Sequence, residues 1–197
     1  GKSKVLIDTI GILYGKGAIN AVVIVAPKGV YRNWSTKEIP DHLPEYVDRH
    51  IAVWSPAPRK QEKADLVKLF HTDLDKLKIF IINVEAFSTP KGVKFTENFI
   101  LGHQVLFAVD ESTTIKNPKA SRTKAITKLA KNTKYRRILT GSPITQSPLD
   151  LYSQTEVLET NLLGYTSYYS FQNHYGEVVN RYFGGRTVRQ VVGYRNL

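Results

Sequence analysis

The sequence predicts an open α/β fold: a doubly wound parallel sheet with helices on both faces, followed by a mainly helical C-terminal extension. Three observations carry that prediction. Short runs such as Val22-Val23-Ile24-Val25-Ala26 are apolar on both faces, as strands covered by helices on each side must be. Helix-period segments of about the right length lie between these runs. A polar cluster follows the main runs, where such sheets bind their ligands.

Taken in order, Val5 to Tyr14 places Leu6, Ile10, Leu13 and Tyr14 on one helical face, and Gly15 and Gly17 end it. The run 22–26 is the first strand, and Ile51-Ala52-Val53-Trp54 is a weaker one. Arg59 to Phe70 reads as a second helix. Ile79-Phe80-Ile81-Ile82 and Val105-Leu106-Phe107-Ala108-Val109 are further strands. Pro118 to Lys131 is a third helix with proline near its start. Arg137-Ile138-Leu139-Thr140 closes the strand series. After Pro148 the strand pattern stops, and tyrosine-rich helices lead to a Gly184-Gly185 break and a basic, valine-containing end. The division expected is 1–155 for the sheet domain and 156–197 for a helical, basic extension.

The 197 residues suffice for one domain with a sizeable core. At 42% hydrophobic the chain is neither a disordered tail nor a membrane protein, and no apolar run reaches the ~20 residues a spanning helix needs. Absence of cysteine excludes disulfides and thiolate metal sites. Absence of methionine leads to the expectation of a piece of a longer protein. Lys and Arg number 28 against 17 Asp and Glu, a net charge of +11 that favours a polyanionic partner such as nucleic acid. The five histidines show no ligand spacing, so zinc finds no support.

Four clusters deserve chemical readings, each beside a plainer one. Gly1-Lys2-Ser3 opens the first helix as the back half of a phosphate-binding loop does, although a solvated basic terminus also fits. Asp110-Glu111 caps a fully apolar strand, where one acid can hold magnesium and the other orient water; helix capping also fits. Thr140-Gly141-Ser142 can sense those acids, or be an ordinary turn. Pro27-Lys28-Gly29 offers a lysine and backbone N–H groups to a phosphate backbone, or is a surface loop. Four such clusters in this order suit one ATP site beside one nucleic-acid track.

These stretches resemble superfamily-two helicases of the Swi/Snf-type DNA-dependent ATPases and their phage relatives. Gly1-Lys2-Ser3 is similar to motif I, Val25-Ala26-Pro27-Lys28 to motif Ia, Val109-Asp110-Glu111-Ser112 to motif II, and Leu139-Thr140-Gly141-Ser142-Pro143-Ile144 to motif III. Ile115-Lys116-Asn117 follows the acids as a block of that family does, and Ile82-Asn83-Val84-Glu85 loosely fits motif Ib. The resemblance implies a RecA-like P-loop sheet, here clipped at its N-terminal side. It further implies ATP and magnesium as cofactors, and DNA as partner with duplex favoured over single strand. It also implies a second RecA-like lobe in the full-length chain and cytoplasmic location in a bacterial or phage-infected cell. By it, Lys2 binds phosphate, Ser3 and Asp110 hold magnesium, Glu111 activates water, and Thr140 to Ser142 couple the site to DNA. Asp110-Glu111-Ser112-Thr113 departs from the D-E-A-H or D-E-G-H of the family, which touches the subfamily more than the chemistry. Without a second lobe the isolated piece is expected to be inactive. Three alternatives stand beside this reading: the motor lobe of a restriction enzyme, a non-catalytic basic nucleic-acid-binding domain, and a small-molecule P-loop kinase.

From Ser112 to Leu149 there are nine cations and no acid. Lys124, Lys128 and Lys131 share a helix face, as a phosphate-contacting stripe or a solvated one. Lys116 and Asn117, directly after the acids, are further candidates for nucleic-acid contact. In the tail, Tyr165, Tyr168, Tyr169, Phe171 and Tyr175 suit base stacking or, by the plainer reading, helix packing.

Overall fold

In the computed structural model, which describes residues 1–71 and 75–197, the run Ala21–Ala26 forms the central strand of a five-stranded sheet. Along the chain lie α1 (Lys2–Gly15), β1 (Ala21–Ala26), a π-helical turn Trp34–Glu38 running into α2 (Ile39–His42), β2 (Arg49–Val53) and α3 (Lys60–Lys68). Then come β3 (Leu77–Asn83), a 3-10 segment Val84–Ser88, α4 (Pro90–Leu101), β4 (Val105–Asp110), α5 (Ser121–Ala130) and β5 (Tyr135–Leu139). The strands lie in the order β2-β3-β1-β4-β5, each pairing parallel. The expected doubly wound parallel sheet is therefore present. No helix among the described residues is long and apolar enough to cross a membrane.

Strand alternation divides the core. Val23, Val25, Phe80, Ile82, Phe107 and Val109 face one side, against Leu66 and Leu69, Phe99 and Ile100 of α4, and Ile126 and Leu129 of α5. Val22, Ile24, Ile79, Ile81 and Leu106 face the other, against Leu6, Ile7 and Ile10 of α1, Trp34 and Ile39. Both faces are thus helix-covered, which explains why 21–26 of β1 and 79–82 of β3 are apolar at every position. Phe80 is the centre of the first layer, with ring centroids 5.0 Å from Phe95 and 5.6 Å from Phe99. Truncating such a residue to alanine costs about 3–5 kcal/mol.

Three differences from the sequence reading have local causes. Helix α4 has no counterpart in it, because Gly92 and Thr96 are weak helix formers. What starts the helix is Thr89, whose hydroxyl accepts from Gly92 N at 3.3 Å, with Pro90 in the first turn. Gly92 is required there: an added Cβ would lie 2.5 Å from the Ala86 carbonyl oxygen. Strand β5 is only partly buried, with Arg137 exposed, because it stands at the sheet edge.

The third difference is in the tail. Helices α6 (Leu151–Leu158) and α7 (Tyr168–Tyr175) are present, but residues 176–194 are not helical. They form an antiparallel hairpin of β6 (Gly176–Phe183) and β7 (Arg186–Tyr194). The β-branched Val178, Val179, Val188, Val191 and Val192 favour extended backbone. Gly184 and Gly185, at φ of 51° and 80°, supply the two positive-φ residues of a tight two-residue hairpin loop. The expectation of a mainly helical extension is corrected to two helices and a β-ribbon. The ring cluster is packing: Tyr165, Phe171 and Tyr175 contact one another, and Tyr152 of α6 meets Tyr168 and Phe171. Tyr169 alone of the five is exposed.

Candidate functional site

Parallel pairing brings the C-terminal ends of all five strands to one rim. Across it, β1 delivers Pro27-Lys28-Gly29, β4 delivers Asp110-Glu111 and β5 delivers Thr140-Gly141-Ser142. The acids therefore stand between the lysine turn and the Thr140 turn.

Glu111 leaves β4 in the left-handed region, at φ 45° and ψ 60°. That conformation costs a non-glycine residue roughly 1 kcal/mol or more. It persists because its surroundings hold it. The Glu111 N–H donates to Asp110 Oδ1 at 2.9 Å, and Thr114 N–H donates to the Glu111 carbonyl at 3.0 Å. The sharp turn brings the Glu111 carboxylate to α1, where Lys2 Nζ donates to Oε1 at 3.0 Å. Both side chains are more than two-fifths exposed, so this pair adds little stability. Its significance is positional. A Cβ added to Gly141 would sit 3.6 Å from the same Lys2 Nζ. Residues from three segments remote in sequence thus meet at one ammonium group.

Asp110 is half-buried behind this meeting point. Burial pushes its carboxyl above the usual carboxylate range, and the Trp34 and Glu111 N–H donors oppose that rise. The Glu111 charge pushes it up further, while Lys2 pulls it down. Trp34 Nε1 donates to Asp110 Oδ2 at 3.0 Å. Ser3 lies one residue past Lys2 in the first turn of α1, which has no acid and no side-chain cap. The first intrahelical bond runs from Val5 N to the Gly1 carbonyl, so the N–H groups of Lys2, Ser3 and Lys4 point out of the helix end. A 290 Å³ cleft between α1 and β5 opens beside them, lined by Lys2, Leu6, Thr9, Leu139 and Thr140.

Behind the acids lies a buried relay that sequence reasoning did not find. Ser112 Oγ donates to Gln154 Oε1 at 2.6 Å, and Gln154 Nε2 donates to the carbonyls of Pro143 and Asp150, each at 2.7 Å. One fully buried amide therefore ties the residue after the acid pair to the turn after Ser142. Lys116 adds a second tie. Its ammonium donates to Thr145 Oγ1 at 2.7 Å and Gln146 Oε1 at 2.9 Å, and lies 3.5 Å from Asp150. Asp150 Oδ2 also accepts from Thr145 N and Oγ1 and from Gln146 N. Burial pushes the Asp150 carboxyl up, but these donors and Lys116 outweigh it and hold it below the usual range.

The other sequence candidates fall into two groups. Lys28 and Gly29 are exposed on the rim, in a turn closed by Val30 and Tyr31 N–H groups on the Pro27 carbonyl. Lys116 has internal partners and braces the site rather than presenting a free charge, while Asn117 Oδ1 accepts from Lys119 N in a local turn. Lys124 and Lys128 are exposed on α5, which packs on the sheet face opposite α1, so they stand apart from Lys2. Trp34, Asp150 and Gln154 carry no periodicity or motif signal. Only the tertiary structure reveals them.

An open parallel sheet with this order and these strand ends is a RecA-like α/β lobe. The chain belongs to the SNF2-related domain family, whose model matches residues 2–184. It is 26% identical over 191 residues to the DNA annealing helicase and endonuclease ZRANB3 of Bos taurus, covering 97% of this chain and 16% of that protein. Among solved structures it is similar to the Sulfolobus solfataricus SWI2/SNF2 ATPase core in complex with dsDNA. That match has a TM-score of 0.60 and 22% identity, over 86% of this chain and 31% of the other. The chain thus spans under a third of the length of either relative.

Proposed function

We propose that this chain is the first of two ATP-binding lobes of a motor that couples ATP hydrolysis to movement along DNA. The observation that carries the reading is the meeting of Lys2, Glu111 and Gly141 around one ammonium at the strand-end rim. Residues 1–155 form the nucleotide-binding lobe and residues 156–197 an extension leading toward the second lobe.

The residues present fit a nucleotide triphosphate with magnesium. Lys2 and the uncapped first turn of α1 offer positive charge and N–H donors to phosphate oxygens. Ser3 and Asp110 would be the oxygen ligands of magnesium, a donor set that suits a hard cation. Magnesium, when bound, neutralises charge developing on the phosphates. Glu111 orients the attacking water and takes its proton as the bond to the leaving diphosphate breaks. Lys2 holds Glu111, and phosphate oxygens would compete for Lys2 and free the carboxylate. Through Ser112 and Gln154, displacement at Glu111 reaches the Thr140–Ser142 turn, which couples the site to DNA. Pro27, Lys28 and Gly29 supply phosphate contacts on the rim, with Lys124 and Lys128 adding basic surface elsewhere. The net charge of +11 supports a DNA partner, and the duplex named with the Sulfolobus protein favours double strands.

The test is DNA-stimulated ATP hydrolysis by a longer chain that includes the second lobe. Glu111→Gln should lower kcat at least ~100-fold, as loss of a proton-transfer group does, while ATP binding persists. Salt-sensitive DNA binding without stimulated turnover, indifferent to Lys2→Ala and Glu111→Gln, would instead support a non-catalytic nucleic-acid-binding domain.

A further inference from the structure

The β6–β7 ribbon has no assigned role in the site above, and its tip exposes an aromatic ring and two arginines on one face. Its base is anchored. Arg189 hydrogen-bonds to Asn173 Oδ1 and lies 5.6 Å over the Tyr169 ring, and Arg195 donates to the carbonyls of Asn173 and His174. Cross-strand register puts Asn180, Tyr182, Thr187 and Arg189 on this anchored face. The opposite face carries Val179, Arg181 and Phe183 paired with Gln190, Val188 and Arg186.

That outer face is unpartnered toward its tip. Phe183 on it is 58% exposed. Among the described residues neither Arg181 nor Arg186 makes an ion pair or a side-chain hydrogen bond. From Tyr168 to Leu197 there is one acid, Glu177 at the base, against Arg181, Arg186, Arg189 and Arg195. A folded chain that leaves an aromatic ring in water on the same face as two unpaired guanidinium groups presents a surface for a ligand that is both anionic and ring-bearing.

We propose that the tip of this hairpin binds single-stranded nucleic acid, with Phe183 stacking on an unpaired base and Arg181 and Arg186 contacting the flanking phosphates. Arg181 and Phe183 are two residues apart on one strand face, about 6.8 Å along the ribbon, which suits a base and its adjoining phosphate in an extended strand. Duplex DNA has its base faces stacked away and offers the Phe183 ring nothing. The proposal stands apart from the nucleotide site and does not require it.

Fluorescence anisotropy of the 197-residue chain with labelled oligo-dT of 20 nucleotides, and with a blunt duplex of equal length, tests it. Phe183→Ala is expected to weaken oligo-dT binding about tenfold, with Phe183→Trp restoring it and duplex binding unchanged. Arg181→Ala with Arg186→Ala should reduce the slope of log K against log salt by about 1.4, the release from two single-strand phosphates. Unchanged melting temperatures check that each variant folds. Equal weakening of both DNAs by Phe183→Ala would overturn the proposal. So would unchanged binding of oligo-dT, the result expected if the ribbon docks on protein.

Discussion

Replacing Gln154 by alanine probes how rigidly the acid pair is tied to the turn after β5. Gln154 has no exposed surface, and its amide bonds to Ser112 Oγ, the Pro143 carbonyl and the Asp150 carbonyl at 2.6–2.7 Å. Truncation strands the buried Ser112 hydroxyl, at about 1–3 kcal/mol, and removes the bond to Pro143, at about 0.5–1.5 kcal/mol. The middles of those two ranges add to about 3 kcal/mol. For a chain of this size each kcal/mol lowers Tm by about 2–4 °C, so Gln154→Ala should melt roughly 6–12 °C below the parent. Thermal unfolding followed by circular dichroism measures this directly. Gln154→Met refills the space without the hydrogen bonds and should recover less than half of the loss. Hydrogen exchange at the Ser142 amide should quicken in the alanine variant, because its turn has lost a tether. A melting point within 2 °C of the parent would show that the relay contributes nothing and refute the reasoning.

Other outcomes follow from single contacts. Gly92→Ala should destabilise by about 1–3 kcal/mol in denaturant titration, since its Cβ would meet the Ala86 carbonyl oxygen at 2.5 Å. Gly141→Ala should be nearly neutral for folding by the same titration, its Cβ meeting Lys2 Nζ at an ordinary 3.6 Å. Trp34→Phe removes a donor that lowers the Asp110 pKa, so a carboxyl-carbon NMR titration should show that pKa rise further; a fall would contradict the assignment. Asp150 contributes stability above the unfolded carboxylate value of about 3.9 and loses it as pH falls through its lowered folded value. Asp150→Asn should therefore cost about 2–4 kcal/mol at pH 7, with the gap to the parent closing in acid.

The sheet was legible because a parallel strand covered on both faces must be apolar at every position, and 22–26, 79–82 and 105–109 are. The candidate site was legible for a related reason: parallel strands end on one rim, so the polar residues after each run had to assemble. Strand β5 was harder to read, since an edge position tolerates Arg136 and Arg137. Helix α4 was hidden by Gly92, whose value is a close backbone approach and not helix propensity. The hairpin at 176–194 was read as a tail because its valines are interspersed with polar and arginine residues on a ribbon that buries little, so no apolar stripe advertised it. Lys116 illustrates a further limit. A lysine after an acid pair looks like a phosphate ligand, and only the fold shows Asp150, Thr145 and Gln146 gathered around it. Gln154 was invisible for the same reason, being a polar core residue that matters through partners distant in sequence.

Chemical-shift mapping of the amides in the 197-residue chain, titrated with magnesium and a non-hydrolysable ATP analogue, addresses the nucleotide site itself. Saturable shifts gathered at Lys2, Ser3, Asp110, Glu111 and Gly141 are the expected result. Shifts confined to the hairpin or to α5, with the Lys2–Glu111 neighbourhood silent at saturation, would contradict it.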